Sequence, residues 1–312
     1  MIIGHQKQWE FLKRSAESGK LSHAYLFSGQ EKLGKKTVAL EWISLLFGQP
    51  PTRIIGGGHP DFILVTPIGK DSNPPTTLSS SARASIQISQ IRDLIWRLSL
   101  KPSISPLKAA IVDQAHLMNE EAQNCFLKTL EEPKGNTVLI LITKAPEFLF
   151  PTILSRCQIL KFYPVKREEI ENYLQSQGIS ESELKVISDI SLGRPGIAID
   201  FISNPQKLEN QKKIIKELIE ISNSPLAGRF QYAKNLAKTL NLREILDTWL
   251  SYFRNILLEK CSTLGAQKKR DVCFFSPKKL ATILQKIQST IFLISTTNVN
   301  PRLALEILLM EL

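Results

Sequence analysis

Cysteine is scarce in this sequence of 312 residues. Its four cysteines include no C-x-x-C pair; they are Cys125, Cys157, Cys261 and Cys273. This spacing argues against a zinc site and against a disulfide framework, because both rely on clustered or paired cysteines. We therefore expect no bound zinc or other metal.

Long apolar runs are also missing. The run Val138–Ile142 is among the longest and is too short to cross a bilayer. The first ten residues contain no apolar segment of the kind found in signal peptides. These absences predict a cytoplasmic protein with no membrane partner. Aromatic residues make up only 7% of the chain, which disfavours a free-standing nucleic-acid-binding module that works by base stacking.

Acidic residues are outnumbered by basic ones. Lys and Arg total 40 against 29 for Asp and Glu, which leaves a net charge of +11 and a pI near 9.4. The surplus favours an anionic partner such as nucleic acid, although a basic surface that binds nothing explains the same charge. Hydrophobic residues make up 43% of the chain, as in an ordinary globular protein, and the length predicts two or three domains.

Short unbroken apolar runs alternate with helical patterns through the first half of the chain. This rhythm predicts a parallel sheet covered by helices, because such strands are buried on both faces. The predicted strands are Ala24–Ser28, Phe62–Thr66, Ile86–Ile88, Ala109–Asp113, Val138–Thr143 and Leu160–Tyr163. The predicted helices between them are Thr37–Leu46, Ile88–Leu98 and Glu120–Glu131. Two segments, Gly48–His59 and Lys70–Ser85, are predicted to be loops.

After about Val165 the strand signal ends, and helical patterns continue to the end of the chain. We predict an α/β domain over residues 1–165, a small helical domain over residues 166–204 and an all-α domain over residues 205–312.

The stretch G-Q-E-K-L-G-K-K-T nearly matches the phosphate-binding pattern G-x-x-x-x-G-K-[ST] and lies between a predicted strand and a predicted helix. Gly29 and Gly34 allow a tight curl that points backbone N–H groups at phosphate oxygens. Lys35 takes the place of the lysine that reaches the phosphates. Lys36 replaces the hydroxyl residue that helps to hold Mg²⁺. Thr37 comes one place late, about 100° further around the helix.

A second predicted strand ends at Asp113, which resembles the Mg²⁺-binding carboxylate of a Walker B strand and is expected beside the loop strand. Hydrolysis of ATP also needs a group that orients water, usually a glutamate directly after that aspartate. The residue here is Gln114, which is not a base. Together with Lys36 it predicts little or no ATP hydrolysis and weak or absent nucleotide binding. A simple strand–helix turn without nucleotide is the alternative.

Motifs along nearly the whole chain resemble one family. The most specific is F-L-K-T-L-E-E-P at residues 126–133, followed by I-L-S-R-C-Q at residues 153–158. The others are I-I-G-H-Q, H-A-Y-L-F-S-G, H-P-D, I-R-D-L-I-W-R-L-S-L-K-P, G-R-P-G and N-V-N-P-R-L-A-L-E. The chain resembles the clamp-loader subunits of the AAA+ class, and specifically the delta-prime subunits of bacterial DNA polymerase III. The resemblance implies an AAA+ P-loop domain, a helical lid domain and a C-terminal helical collar.

The resemblance also implies roles for individual residues. Arg156, in the S-R-C motif, would be an arginine finger that contacts the γ-phosphate of ATP bound to a neighbouring motor subunit. A guanidinium suits this role because it is always charged and grips phosphate by two hydrogen bonds. Thr143 falls near the sensor-1 position and Arg194 near the sensor-2 position, both of which contact nucleotide in active members. Family members commonly carry a four-cysteine zinc module before H-P-D, and this chain has P-P-T-R-I-I-G-G-G there.

The function implied is that of a stator without intrinsic ATPase activity, within a nucleotidyltransferase complex, the DNA polymerase holoenzyme. Its partners would be gamma/tau and delta subunits in a hetero-pentamer, the sliding clamp, and primed DNA reached through the complex. The alternative is an active ATPase motor of the gamma/tau type, which would have to tolerate Lys36 and Gln114.

Overall fold

The computed structural model describes residues 2–56, 58–68, 84–133, 135–239, 241–261, 275–297 and 299–312. The chain divides into two compact units. The first contains Met1–Tyr173 and Gly193–Gly196, and the second contains Leu174–Leu192 and Ile197–Leu312. The division into three domains stays a prediction. Most of the predicted loop Lys70–Ser85 lies outside the described residues.

A five-stranded sheet forms the centre of the first unit, with the strand order β2-β3-β4-β1-β5. Its strands are β1 (Ala24–Ser28), β2 (Phe62–Val65), β3 (Lys108–Val112), β4 (Thr137–Thr143) and β5 (Gln158–Lys161). Each pair of neighbouring strands is parallel, as the unbroken apolar runs predict. Ser28 at the end of β1 lies opposite Thr143 on one side and Lys161 on the other.

Helices cover both faces of this sheet. They are α1 (Gln6–Glu17), α2 (Lys35–Phe47), α3 (Pro51–Gly56), α4 (Ile88–Ser99), α5 (Glu120–Glu131) and α6 (Pro151–Leu154). Helix α7 (Arg167–Ser176) begins in the first unit after the last strand. Successive strand residues point to opposite faces, so Leu26 and Leu141 belong to one apolar cluster, whereas Phe27 and Ile140 belong to the other. The first unit is therefore a three-layer α/β structure.

The described part of the second unit contains helices and no strand. These helices are α8 (Glu181–Ser191), α9 (Pro195–Ser203), α10 (Pro205–Ser222), α11 (Leu226–Leu236), α12 (Leu242–Cys261), α13 (Pro277–Thr296) and α14 (Pro301–Met310). Trp249, Leu280 and Leu305 are completely buried in its apolar cluster. Ser276 and Asn300 cap α13 and α14 by accepting hydrogen bonds from backbone N–H groups. None of the helices in the described residues is long and apolar enough to span a membrane.

Three predictions in the first unit were wrong: one loop, one strand and the start of another strand. The predicted loop Gly48–His59 contains helix α3. Pro51 takes the first position of this helix, where its missing N–H is tolerated. Ile86 forms only an isolated bridge with Met118, because helix α4 begins two residues later. Strand β5 begins at Gln158, two residues before the predicted start. It is an edge strand whose residues are largely exposed, so its sequence lacks the apolar run that marks the inner strands.

Candidate functional site

The loop between β1 and α2 has the curled backbone that its glycines predict. Gly29 has a φ of 152° and Gly34 a φ of 91°, values that favour glycine. A Cβ atom added to Gly29 would collide with the carbonyl oxygen of Phe162. Gly34 directly precedes helix α2. The local structure thus requires glycine at position 29 and favours it at position 34 through the positive φ, whether or not a phosphate binds.

Lys35 turns back onto its own loop. Its Nζ donates hydrogen bonds to the backbone carbonyl oxygens of Gly29 and Gln30. The residue is only 7% exposed. Burial lowers the pKa of Lys35 to about 8, against the opposing effect of the Glu31 and Asp113 carboxylates. The loop therefore already satisfies the ammonium group that is predicted to reach for a phosphate.

Lys36 forms an ion pair with Asp113. The distance from Nζ to Oδ2 is 3.1 Å, and the side chains are 41% and 19% exposed. In P-loop NTPases the corresponding positions carry the hydroxyl and the carboxylate that hold Mg²⁺. Here an ammonium group lies against the carboxylate instead. These residues do not fit a Mg²⁺ ion, because the cation would have to displace Lys36 and then tolerate its charge.

The strand that leads to Asp113 is not adjacent to the loop strand, contrary to our prediction. Strand β4 lies between β1 and β3. The long Lys36 side chain spans this gap. Gln114, the next residue, adopts a left-handed φ of 53° and precedes a 3-10 helix at Ala115–Leu117. Its amide has no basic nitrogen with which to take a proton from water.

Thr143, at the predicted sensor-1 position, has a local structural role. It is 1% exposed. Its Oγ1 accepts a hydrogen bond from the Ala145 N–H at 3.1 Å. Its backbone carbonyl accepts one from the Gly29 N–H at 3.2 Å. The residue thus joins the end of β4 to the start of the phosphate loop.

Arg194, at the predicted sensor-2 position, lies in the segment Gly193–Gly196, which belongs to the first unit. The Gly196 N–H donates to the carbonyl oxygen of Lys32 at 2.8 Å, and the Gly193 carbonyl accepts from the Val165 N–H at 2.7 Å. The backbone of the G-R-P-G motif therefore contacts the phosphate loop directly, which places the segment of Arg194 at the predicted site.

Sequence reasoning missed three polar residues around the loop. Lys144 Nζ donates to Glu31 Oε1 at 2.6 Å. Burial opposes ionisation of Glu31, but the Lys144 hydrogen bond and the surrounding positive charges together outweigh burial and lower its pKa. Burial, and next the charge of Lys144, lower the pKa of His116. The one sequence signal for these residues is that Lys144 directly follows a predicted strand.

His5 of the I-I-G-H-Q motif also supports the loop and was not predicted as a site residue. Its Nε2–H donates to the carbonyl oxygen of Leu33 at 2.8 Å. The ring packs edge-on against Phe162, with 4.9 Å between ring centroids. Burial lowers the pKa of His5, so the neutral ring is favoured as the donor to Leu33.

Arg156, the predicted arginine finger, follows helix α6. Its Nη2 lies 2.8 Å from Oε1 of Glu131, and 34% of its side chain is exposed. Its Nη1 donates to the carbonyl oxygen of Thr152 at 2.9 Å and approaches the Ser155 hydroxyl at 3.4 Å. Within the described residues, its hydrogen bonds and ion pair do not include any residue of the phosphate loop.

In the described part of the chain, no three His, Cys, Asp or Glu side chains come together in a cluster that could hold a metal ion. Cys125, Cys157 and Cys261 are free thiols, whereas Cys273 lies outside the described residues. Burial raises the pKa of Cys157 to about 12, so the thiol of the S-R-C motif stays protonated and acts as a small apolar group.

A glycine-containing loop between a strand and a helix of a parallel sheet, with a helical unit in the later part of the chain, defines the class of fold: a P-loop-like α/β protein with an additional all-helical region. The sequence profile of the family described as "DNA polymerase III, delta subunit" matches residues 4–166. DNA polymerase III subunit delta' of Bacillus subtilis (strain 168) is 31% identical over 256 residues, which cover 78% of this chain and 69% of that protein. The chain belongs to the delta-prime family of DNA polymerase III subunits.

Two further comparisons extend the set of similar proteins. The delta' subunit of Pseudomonas aeruginosa is 33% identical over 148 residues, which cover 44% of this chain and 42% of that protein. A solved structure of a DNA polymerase III gamma subunit-related protein from Thermotoga maritima covers 97% of both chains, with 19% identity and a TM-score of 0.47. The family that the motifs predicted is confirmed by the profile and the Bacillus relative.

Proposed function

We propose that this chain is the stator of the DNA polymerase III clamp loader and helps to load the sliding clamp onto primed DNA. It works in the cytoplasm in a hetero-pentamer with gamma/tau and delta subunits, as part of the polymerase holoenzyme. Membership of the delta-prime family supports this role. The net charge of +11 supports contacts with DNA phosphates inside the assembly, which should weaken as salt is raised.

The proposed lack of intrinsic ATP hydrolysis is carried mainly by the ion pair between Lys36 and Asp113. A cation that lies on the carboxylate repels a divalent metal, and Gln114 cannot orient water as a base. The folded-back Lys35 supports the same conclusion, because phosphate must compete with two backbone carbonyls for its ammonium group. In this proposal the phosphate loop is a relic that supports the fold.

Arg156 is proposed to act in trans on the ATP site of a neighbouring motor subunit. Three observations support this role. Arg156 lies in the S-R-C motif, and its side chain is partly exposed. Within the described residues, its guanidinium donates hydrogen bonds to Thr152 and Ser155, not to residues of the chain's own phosphate loop. A guanidinium can stabilise the charge that develops on the transferred phosphate.

The test is ATPase activity in two mixtures, with clamp and primed DNA present. One contains the purified chain alone, and the other contains the chain reconstituted with its motor subunits, wild type or Arg156→Ala. We expect no turnover by the chain alone. Turnover at the neighbouring site should fall by about 10³-fold in the variant, the lower range for an arginine finger.

Two results would contradict this proposal. Robust turnover by the isolated chain would show that Lys36 and Gln114 do not disable the site, and would favour the gamma/tau-like motor. Complex ATPase that is unchanged by Arg156→Ala would exclude the finger.

A further inference from the structure

Glu131 is the last residue of helix α5 and forms an ion pair with the guanidinium of Arg156. The distance from Oε1 to Nη2 is 2.8 Å, and the two side chains are 49% and 34% exposed for Glu131 and Arg156. Exposed ion pairs contribute little to stability. We therefore expect this contact to contribute little to the fold and to act mainly on where the guanidinium points.

The guanidinium is held from two sides. Nη2 contacts Glu131 on α5, whereas Nη1 donates to Thr152 on α6. Contacts at two separate nitrogens fix the plane of the group, which a single contact would leave free to rotate. A guanidinium has five N–H donors, so these contacts leave other donors for a phosphate.

Both supports are anchored in the core. On α5, Phe126 and Leu130 are 0% and 1% exposed. Ile153 of α6 is 0% exposed and belongs to the same apolar cluster. The carboxylate and the carbonyl that hold Arg156 are therefore carried by packed helices, which is the condition for a preorganised group.

We propose that Glu131 is a positioning residue for Arg156. The inference rests on the proposed finger role. Glu131 and Thr152 orient the guanidinium in advance. The group that it then meets is the terminal phosphate of a nucleoside triphosphate bound by another subunit. An oriented donor loses less conformational freedom when it meets the developing charge, so the benefit appears in the rate of the chemical step.

The experiment measures ATPase of the reconstituted clamp-loader complex with Glu131→Gln, which keeps the shape and removes the charge. We expect kcat to fall by about fivefold, with a small change in KM for ATP, because a moderate loss of orientation raises the barrier without weakening nucleotide binding by the neighbour. Glu131→Asp should recover part of the loss. Glu132→Gln is the matched control: it removes the same charge from the next, exposed residue and should leave kcat unchanged.

A double variant separates positioning from an independent effect. Glu131→Gln should add nothing in the Arg156→Ala background, because Glu131 acts through Arg156. A further fall in that background would overturn the positioning role. Wild-type kcat for Glu131→Gln, with Arg156→Ala impaired, would also overturn it and leave the finger intact. Unchanged activity of Arg156→Ala would instead remove the proposed function on which the inference rests.

Discussion

The first unit carries two cationic regions that differ in what their charges contact. At the phosphate loop, Lys35 bonds to backbone carbonyls of the loop and Lys36 bonds to Asp113. After α6, Arg156 is held at two nitrogens and keeps 34% of its side chain exposed. Lys35 is buried, and Lys36 is 41% exposed but lies against the carboxylate expected to hold Mg²⁺. Arg156 is also paired with a carboxylate, but it lies outside the loop and has N–H donors beyond those that hold it.

Under the proposal that the loop is a relic, a phosphate-binding motif and a phosphate-binding site are separate properties. The backbone of the loop keeps the positive φ values of its glycines, yet its two lysines already have partners. A ligand must break those contacts before it gains any of its own. For Lys35 this means leaving two backbone carbonyls, and for Lys36 it means competing with Asp113. Arg156 can keep its contacts, because five N–H donors exceed the contacts that hold it. We therefore expect substitutions in the two regions to affect different measurements.

Apart from Arg156→Ala, the largest effect should come from Arg156→Lys in the reconstituted complex. Lysine keeps the charge but loses the planar fork that grips phosphate, so we expect complex ATPase to fall by about 100-fold. Lys36→Met, in the other region, should leave complex ATPase at the wild-type level. Equal losses in both variants would erase the distinction between the regions.

Gly29→Ala should produce the largest effect on stability. The new Cβ would collide with the Phe162 carbonyl oxygen, and the alanine would have to keep a φ of 152°. We therefore expect the free energy of unfolding to drop by about 3 kcal/mol. Gly34→Ala is the matched control, with a φ of 91° and no heavy atom within 4 Å of its Cβ. It should cost about 1 kcal/mol, from strain alone. Urea unfolding of both variants measures the two costs, and similar values would argue against the collision.

Lys36→Thr should convert the loop region toward a Mg²⁺ site. It restores the G-K-[ST] pattern and frees Asp113 from its ammonium partner. We expect Mg²⁺-ATP at ten times its Kd to stabilise this variant by about 1.4 kcal/mol, whereas the wild type should gain nothing. Thermal unfolding with and without Mg²⁺ reports the change. Lys36→Met frees the same carboxylate without supplying a hydroxyl, so stabilisation of that control would show that the ion pair alone blocks the metal.

The smallest effect concerns the pH dependence of the buried Lys35. Its pKa is lowered from 10.5 to about 8 in the folded chain, so the unfolded chain binds more protons between these values. Stability contributed by Lys35 therefore rises as pH increases from about 8 towards 10. Between pH 8 and pH 9, the free energy of unfolding of the wild type should rise by about 1 kcal/mol relative to that of Lys35→Met. Chemical unfolding at both pH values checks the sign, and a wild type that loses stability relative to the variant would contradict the lowered pKa.

Local signals explain which elements the sequence predicted well. Helix α5 has the predicted bounds, Glu120–Glu131, because Asn119 caps its start and Pro133 follows its end. The loop glycines were also predicted, since a positive φ favours a residue without a Cβ. Strand β5 was placed two residues late because an exposed edge strand has no apolar run. The interactions of Glu31, Lys144 and His116 were missed, because charged residues near a strand end have no pattern of their own.

The amino-acid sequence by itself determined the parallel sheet, the altered phosphate loop with Lys36 in the hydroxyl position, and the family. These properties depend on apolar periodicity and on the identity of residues within short segments. Only the tertiary structure decided which charges meet: Lys36 reaches Asp113, 77 positions away, and Arg156 meets Glu131 at the end of helix α5. Such pairs depend on how distant segments pack, and a side chain carries no local signal for the partner that packing brings to it.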